Sequence, residues 1–221
     1  MEVYELSQEP MVKPRPRIQT LSDLVFGLAL SISALTLIGQ QPTTINQLAT
    51  SLGLYGFSFL ILISVWRIYS TVTSILPVET SFLTNLNVLL LFLVSIEPYL
   101  FNELFALSGD LNTYVSNLYA LDLAVMFLIM AFFNHYLAIE EKNLIPKNLL
   151  GKYRLHRNLC LIVVGIFLIS IAPFFANFIV LSYKVGGISN IITLRSFLWI
   201  FALLMGWSRY LWERVLKKQA I

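Results

Sequence analysis

Long apolar runs separated by short polar intervals organise this chain. Residues 24–39, 48–76, 82–102, 113–138, 158–183 and 190–212 each carry a stretch close to the roughly 20 residues that cross about 30 Å of hydrocarbon. The first run continues without a break from the polar segment 17–23, and the pattern as a whole predicts an all-α, polytopic membrane protein with six transmembrane helices. Residues 1–16 differ: Glu2, Glu5 and Glu9 are followed by Lys13 and Arg15, and Pro10, Pro14 and Pro16 oppose a helix. This segment reads as an N-terminal tail rather than a signal peptide, because no short apolar core with a small-residue cleavage site follows its basic residues. Residues 17–221 then form one six-helix transmembrane domain, with no internal repeat.

Composition agrees with a membrane class. Hydrophobic residues make up 57% of the 221 positions and the mean hydropathy is +0.77, well above the apolar share of a soluble domain. A single cysteine, Cys160, leaves no disulfide framework to read. The net charge of +3 matters mainly through its distribution. Lys142, Lys147, Lys152, Arg154 and Arg157 lie between the fourth and fifth runs, Arg209, Arg214, Lys217 and Lys218 near the C-terminus, and Lys13, Arg15 and Arg17 before the first run. The intervening connections hold only Lys184 as a base, so the positive-inside rule puts both termini in the cytoplasm. On the outer side Glu97, Glu103 and Asp110 outnumber Lys184, which suits either a cation-concentrating mouth or an ordinary solvated rim.

The segment Arg17-Ile18-Gln19-Thr20-Leu21-Ser22-Asp23 carries the most specific chemistry. Thr20-Leu21-Ser22-Asp23 has the form of a capping box, and an acid at a helix N-terminus is favoured by the helix dipole. Asp23 nevertheless sits about a turn inside the apolar segment, where a charge costs roughly 2.5 to 3.5 kcal/mol unless it is paired. Arg17 is six residues away, a poor helical spacing, so both groups are expected to reach other helices. Trp66, Arg67, Asn85 and Asn87 lie at a similar depth in the second and third runs and are the candidates to receive them.

Arg17, Ser22 and Asp23 at the start of the first helix resemble the Arg-x-x-x-Phe-Ser-Asp signature of the TMEM175 family, potassium channels of lysosomes and prokaryotes; Leu21 replaces the Phe. That family builds its pore from the first helix without a Gly-Tyr-Gly filter. A single six-helix unit is similar to its prokaryotic form, so the resemblance implies a homotetramer in a prokaryotic plasma membrane, with the first helix lining the central pore. It also implies that Trp66 and neighbouring polar groups hold the first helix, although the family's His-bearing pattern after the Trp is replaced here by Arg67-Ile68-Tyr69.

Leu24, Leu28, Ser31 and Leu35 follow Asp23 at spacings of four, three and four, one helical face that suits a pore wall, a packing seam or a lipid-facing stripe. The resemblance selects the pore, because the positions that line the family's narrow part fall on Leu28 and Ser31. A leucine ring there would close by dewetting, while a serine ring would help a partly dehydrated potassium ion past it, with modest selectivity over sodium. The function expected is a leak-type potassium channel and not an enzyme, with a membrane-embedded carrier or enzyme as the alternative. Partners are further copies of the chain, membrane lipids and monovalent cations, with no nucleic acid, no cofactor and no fixed metal. Asp122 and Arg195 are expected as a buried interhelical pair. Gly53-Leu54-Tyr55-Gly56 falls inside an apolar run rather than in a re-entrant loop, so its glycines are expected to let helices approach closely. His135 and His156 read as interfacial residues.

Overall fold

The computed structural model describes residues 17–39, 44–76, 81–106, 109–139, 144–185 and 188–205. Among them are α1 (Arg17–Gly39), α2 (Ile45–Thr73), α3 (Ser81–Ala106), α4 (Gly109–Leu137) and α5 (Lys147–Ser170). A five-residue helix α6 (Pro173–Asn177), strands β1 (Ile179–Val185) and β2 (Ile188–Thr193), and helix α7 (Leu194–Met205) follow. Four helices among the described residues are long and apolar enough to span a bilayer, while the apolar parts of α1 and α7 are shorter. The tail 1–16 and the C-terminal bases Arg209, Arg214, Lys217 and Lys218 lie outside the described residues, as does Lys142.

Helix α4 is the centre, packing against α2, α3 and α5, while α1 lies along α2 and α3. Leu123, Met126, Met130 and Phe133 of α4 are fully enclosed by its neighbours. Two buried stripes build the platform under α1. On α2 it runs Ser58, Leu62, Val65, Tyr69, Val72, and on α3 Leu83, Asn87, Leu90, Val94, Glu97, both at the alternating four-and-three spacing that keeps one helical face inward. Phe92, Leu118, Leu128 and Leu168 point outward, an apolar surface suited to lipid or to another subunit.

Three expectations change. Helix α5 begins at Lys147, so Lys152, Arg154 and Arg157 occupy its first turns rather than a loop, and it ends at Ser170 instead of continuing to 183. Pro173 lacks the amide a continuing helix needs, and the β-branched residues Ile179, Val180 and Val185 favour an extended chain beyond it. The predicted end of the fifth span is therefore an antiparallel hairpin, with Val185 paired to Ile188 and Gly186-Gly187 between them in sequence. The described fold is thus helical apart from one two-stranded element. Helix α1 also starts at Arg17, which places Thr20 and Asp23 inside the helix and removes the capping box. Finally, Gly53 and Gly56 are residues of α2 whose Cβ positions meet nothing within 4 Å, so they bring no helix close within the subunit.

Gly151 provides a test of the early start of α5, because it is helical and a Cβ there meets open space. Gly151→Ala is expected to stabilise the solubilised protein by roughly 0.5 to 1 kcal/mol, since glycine costs about that much in a helix interior. The thermal midpoint followed by fluorescence-detected size exclusion measures it. No rise would place residue 151 outside a helix.

Candidate functional site

Helix α1 has two opposed faces. Ser22, Phe26, Ala29 and Ser33, spaced four, three and four, are buried, whereas Leu24, Leu28, Ser31 and Leu35 lie on the opposite side. Leu24, Leu28 and Leu35 keep 58%, 53% and 59% of their surface, so the other described helices leave this face largely open. Leu21 and Ile32 widen the exposed arc on one flank. The Ser31 hydroxyl donates to the carbonyl of Gly27 at 2.9 Å, which occupies its only proton and leaves its oxygen lone pairs as acceptors on the exposed face.

The buried face is anchored near its N-terminal end by Ser22. Its hydroxyl accepts from the Tyr69 hydroxyl at 2.7 Å and from Asn87 Nδ2 at 3.2 Å, so α1 is tied to α2 and α3 through one oxygen. One position on, Asp23 Oδ1 accepts from the Trp66 indole N–H at 3.1 Å. Trp66 and Tyr69 share a face of α2 because they are three residues apart. The Phe26 ring packs on Tyr69 with centroids 5.5 Å apart, and Gln19 donates to the carbonyl of Thr73 below them. Among the residues expected to hold Asp23, the structure thus brings Trp66 and Asn87 to the Ser22-Asp23 pair. Arg67 is half-buried on the same turn of α2, Asn85 points outward from α3, and the side chain of Arg17 lies outside the described residues.

A second anchor lies three turns further out and involves residues not expected to act together. Ser33 Oγ is 3.1 Å from Ser58 Oγ, Ser58 donates to both carboxyl oxygens of Glu97 at 3.2 Å, and Tyr119 donates to Glu97 Oε1 at 3.0 Å. Three helices meet at this carboxyl, and α1 joins them through Ser58. Glu97 was expected at the outer mouth; it is instead completely buried, because α3 continues to Ala106 and turns it onto the inward stripe. The signal for this arrangement was in the spacing. Ser22 and Ser33 are eleven residues apart on α1, and Ser58 and Tyr69 are eleven apart on antiparallel α2, so the two pairs come into register in reverse order.

Around Tyr119 the frame continues outward. Its ring lies 5.2 Å from that of Trp199, whose indole donates to Ser170 Oγ at 2.9 Å. Arg195 donates to the Ser170 carbonyl and to Asn117 Oδ1, each at 2.9 Å. The expected Asp122–Arg195 pair is not formed among the described residues. Asn117 and Asp122 are five residues apart on α4 and so face different sides, and among the described residues neither oxygen of buried Asp122 has a hydrogen-bond partner. Where the end of α4 meets the start of α5, His135 Nδ1 lies 3.3 Å from Arg157 and His156 packs beside Tyr153. Among the described residues no group of three or more His, Cys, Asp and Glu side chains is placed to hold a metal ion.

The sequence model of the family described as "Endosomal/lysosomal potassium channel TMEM175" matches residues 17–98, the segment that carries α1, both its anchors on α2 and α3, and Glu97. Two solved structures are similar in fold. A lysosomal potassium-selective channel TMEM175 homolog from Chamaesiphon minutus aligns at 20% identity over 70% of this chain and 87% of its own, with a TM-score of 0.52. An alanine variant of the potassium channel MtTMEM175, bound to a nanobody–MBP fusion protein, aligns at 18% identity over 93% of this chain and 95% of its own, with a TM-score of 0.54. No curated protein matches the chain in sequence.

The inner anchor predicts a coupling. Tyr69→Phe keeps the ring on Phe26 but removes the donor to Ser22, and is expected to cost roughly 0.6 to 1.5 kcal/mol of thermal stability. Ser22→Ala should cost more, because it also strips Asn87 of its acceptor. The double variant should resemble Ser22→Ala alone. Strict additivity in unfolding of the solubilised protein would mean that the two side chains do not interact.

Proposed function

We propose, for a chain whose residues 17–98 place it in the TMEM175 family, that it is one subunit of a potassium channel whose pore is lined by α1. The observation that carries this reading is the opposition of faces on α1. Its polar hooks point into the subunit, and an apolar stripe with one hydroxyl is left for an axis shared with other copies. Four subunits around that axis would bring the Leu28 side chains together and strip an ion of water, the barrier of a dewetting constriction. Ser31, one turn outward, would offer a ring of acceptor oxygens to a partly dehydrated potassium ion. Such a site selects modestly against sodium and does not depend on a Gly-Tyr-Gly loop. The solved structures of similar fold, both described as potassium channels, support the same assignment.

In this reading residues 17–221 are the channel unit of a homotetramer, residues 1–16 a cytoplasmic tail, and the chain a multi-pass protein of a prokaryotic plasma membrane. Both termini face the cytoplasm, which puts the basic first turns of α5 at the inner headgroups. Asp23 then sits behind the pore wall as a structural group, alongside Ser22, Trp66 and Asn87. Downhill potassium flux without a co-transported ion separates the channel from a carrier built on the same helices.

Two measurements test the proposal. Leu28→Asn should raise potassium flux in liposomes and weaken discrimination against sodium, whereas Ser31→Ala should lower potassium preference and Ser31→Thr should be mild. If Leu28→Asn and Ser31→Ala both leave conductance and selectivity unchanged, the pore is not lined by this face. For orientation, a cysteine at Thr44 should react with a membrane-impermeant reagent from outside and one at Lys147 from the cytoplasm. Labelling of position 44 from the cytoplasm would reverse the topology.

A further inference from the structure

We infer that Glu97 is a positioning residue for the outer half of α1: acting through Ser58 and Ser33, it fixes which residues of that half face the channel axis. The inference rests on α1 as the pore wall and goes beyond it, because Glu97 touches neither the exposed stripe nor any permeating ion.

The direction of the chain of bonds follows from counting protons. Ser58 has one hydroxyl proton and a carboxyl on one side, 3.2 Å from each oxygen, so it donates there. Its lone pair is then free to accept from Ser33 at 3.1 Å, and Tyr119 closes the carboxyl from the far side at 3.0 Å. All hydroxyls thus point toward one acceptor, an arrangement in which each bond polarises the next. A carboxyl inside a membrane protein is costly, and a leucine at 97 would fit the apolar stripe Leu83, Leu90, Val94 without that cost. The group at 97 supplies what leucine cannot, a fixed acceptor on a rigid body. That body is the α4, α5 and α7 frame reached through Tyr119, Trp199 and Ser170.

The consequence for α1 is rotational. Ser33 is two residues from both Ser31 and Leu35, so it points almost directly away from them. Holding Ser33 inward therefore holds Ser31 and Leu35 outward. The anchor at Ser22 is eleven residues away, about 16 Å along the axis; the Phe26 ring on Tyr69 backs that end, and from there to Ser33 the buried face holds Ala29, which gives little steric resistance to twist. Without the outer bond, the azimuth of the Ser31 ring is held less firmly.

The test uses the full-length channel in liposomes, scoring the potassium-to-sodium permeability ratio of protein that elutes as the assembled oligomer. Ser33→Ala leaves the bonds of Glu97 to Ser58 and Tyr119 intact, so it should assemble normally while changing the ratio by about threefold or more. Glu97→Leu should change it in the same direction. Glu97→Gln, whose amide oxygen still accepts, should remain within about twofold of the parent. If Glu97→Leu does not assemble, Ser33→Ala decides alone. An unchanged ratio in assembled Ser33→Ala overturns the inference. When Leu28→Asn still raises flux, that failure belongs to the positioning role and the pore assignment stands; when Leu28→Asn is also silent, both fall.

Discussion

The rotational setting of α1 about its own axis is the constraint on which the rest of this subunit depends. A leucine-rich helix in a bilayer gains little from turning one apolar face or another toward its neighbours, because lipid tails are as apolar as leucine. Hydrogen bonds break that degeneracy. Ser22 at one end and Ser33 at the other are drawn into the subunit by Tyr69, Asn87 and Ser58, and the leucines opposite them have only one direction left. Two hooks on one face, eleven residues apart, resist both rotation and twist, which a single hook cannot do.

The remaining helices can be understood as the support those hooks require. Helices α2 and α3 present stripes that are apolar except at Ser58, Tyr69, Asn87 and Glu97, and each of these four side chains has a hydrogen-bond partner on another helix. Glu97 shows the economy of this arrangement: its two oxygens take bonds from two different helices and link them to a third through Ser33. Behind it, an aromatic sequence from Phe57 to Phe101, Tyr119 and Trp199 fills the space between α2, α3, α4 and α7, with ring centroids 6.0, 5.7 and 5.2 Å apart. Asp122 is the exception. It is buried, with no hydrogen-bond partner for either oxygen among the described residues, and the structure offers no account of what it does there.

A chain that holds one face of a helix so firmly leaves the opposite face bare, and the proposed assembly gives that face a role. Exposed Leu21, Leu24, Leu28, Ile32 and Leu35 form a continuous apolar arc, interrupted only by the oxygen of Ser31. On the proposed axis that arc becomes a narrow, poorly hydrated passage, and selectivity depends on how accurately four copies of one hydroxyl are aimed. Anchors on the hidden face and chemistry on the visible face are then parts of one device.

Much of this was legible in the amino-acid sequence, because membrane solvation is a local property. The length and polarity of each run determined the membrane class and the helical character of the first four spans, although α1 starts at Arg17 rather than at the expected cap. The position of Ser22-Asp23 pointed to α1, and the four-three-four spacing of Leu24, Leu28, Ser31 and Leu35 defined a face without saying what it faces. Trp66 and Asn87 could be named as candidates from depth alone. Depth, however, does not give direction: only the packed helices showed that Asn87 turns inward while Asn85 turns out, that Tyr69 meets Ser22, and that Arg195 chooses Asn117 over Asp122. The same holds for Glu97, which as a residue near the end of an apolar run looked like part of a rim. Its burial depends on α3 extending past it and on hydroxyls from α2 and α4 arriving at the same point. Sequence fixes which groups must be satisfied inside a membrane; which group satisfies which is a property of pairs distant in the chain, and only the tertiary structure decides it.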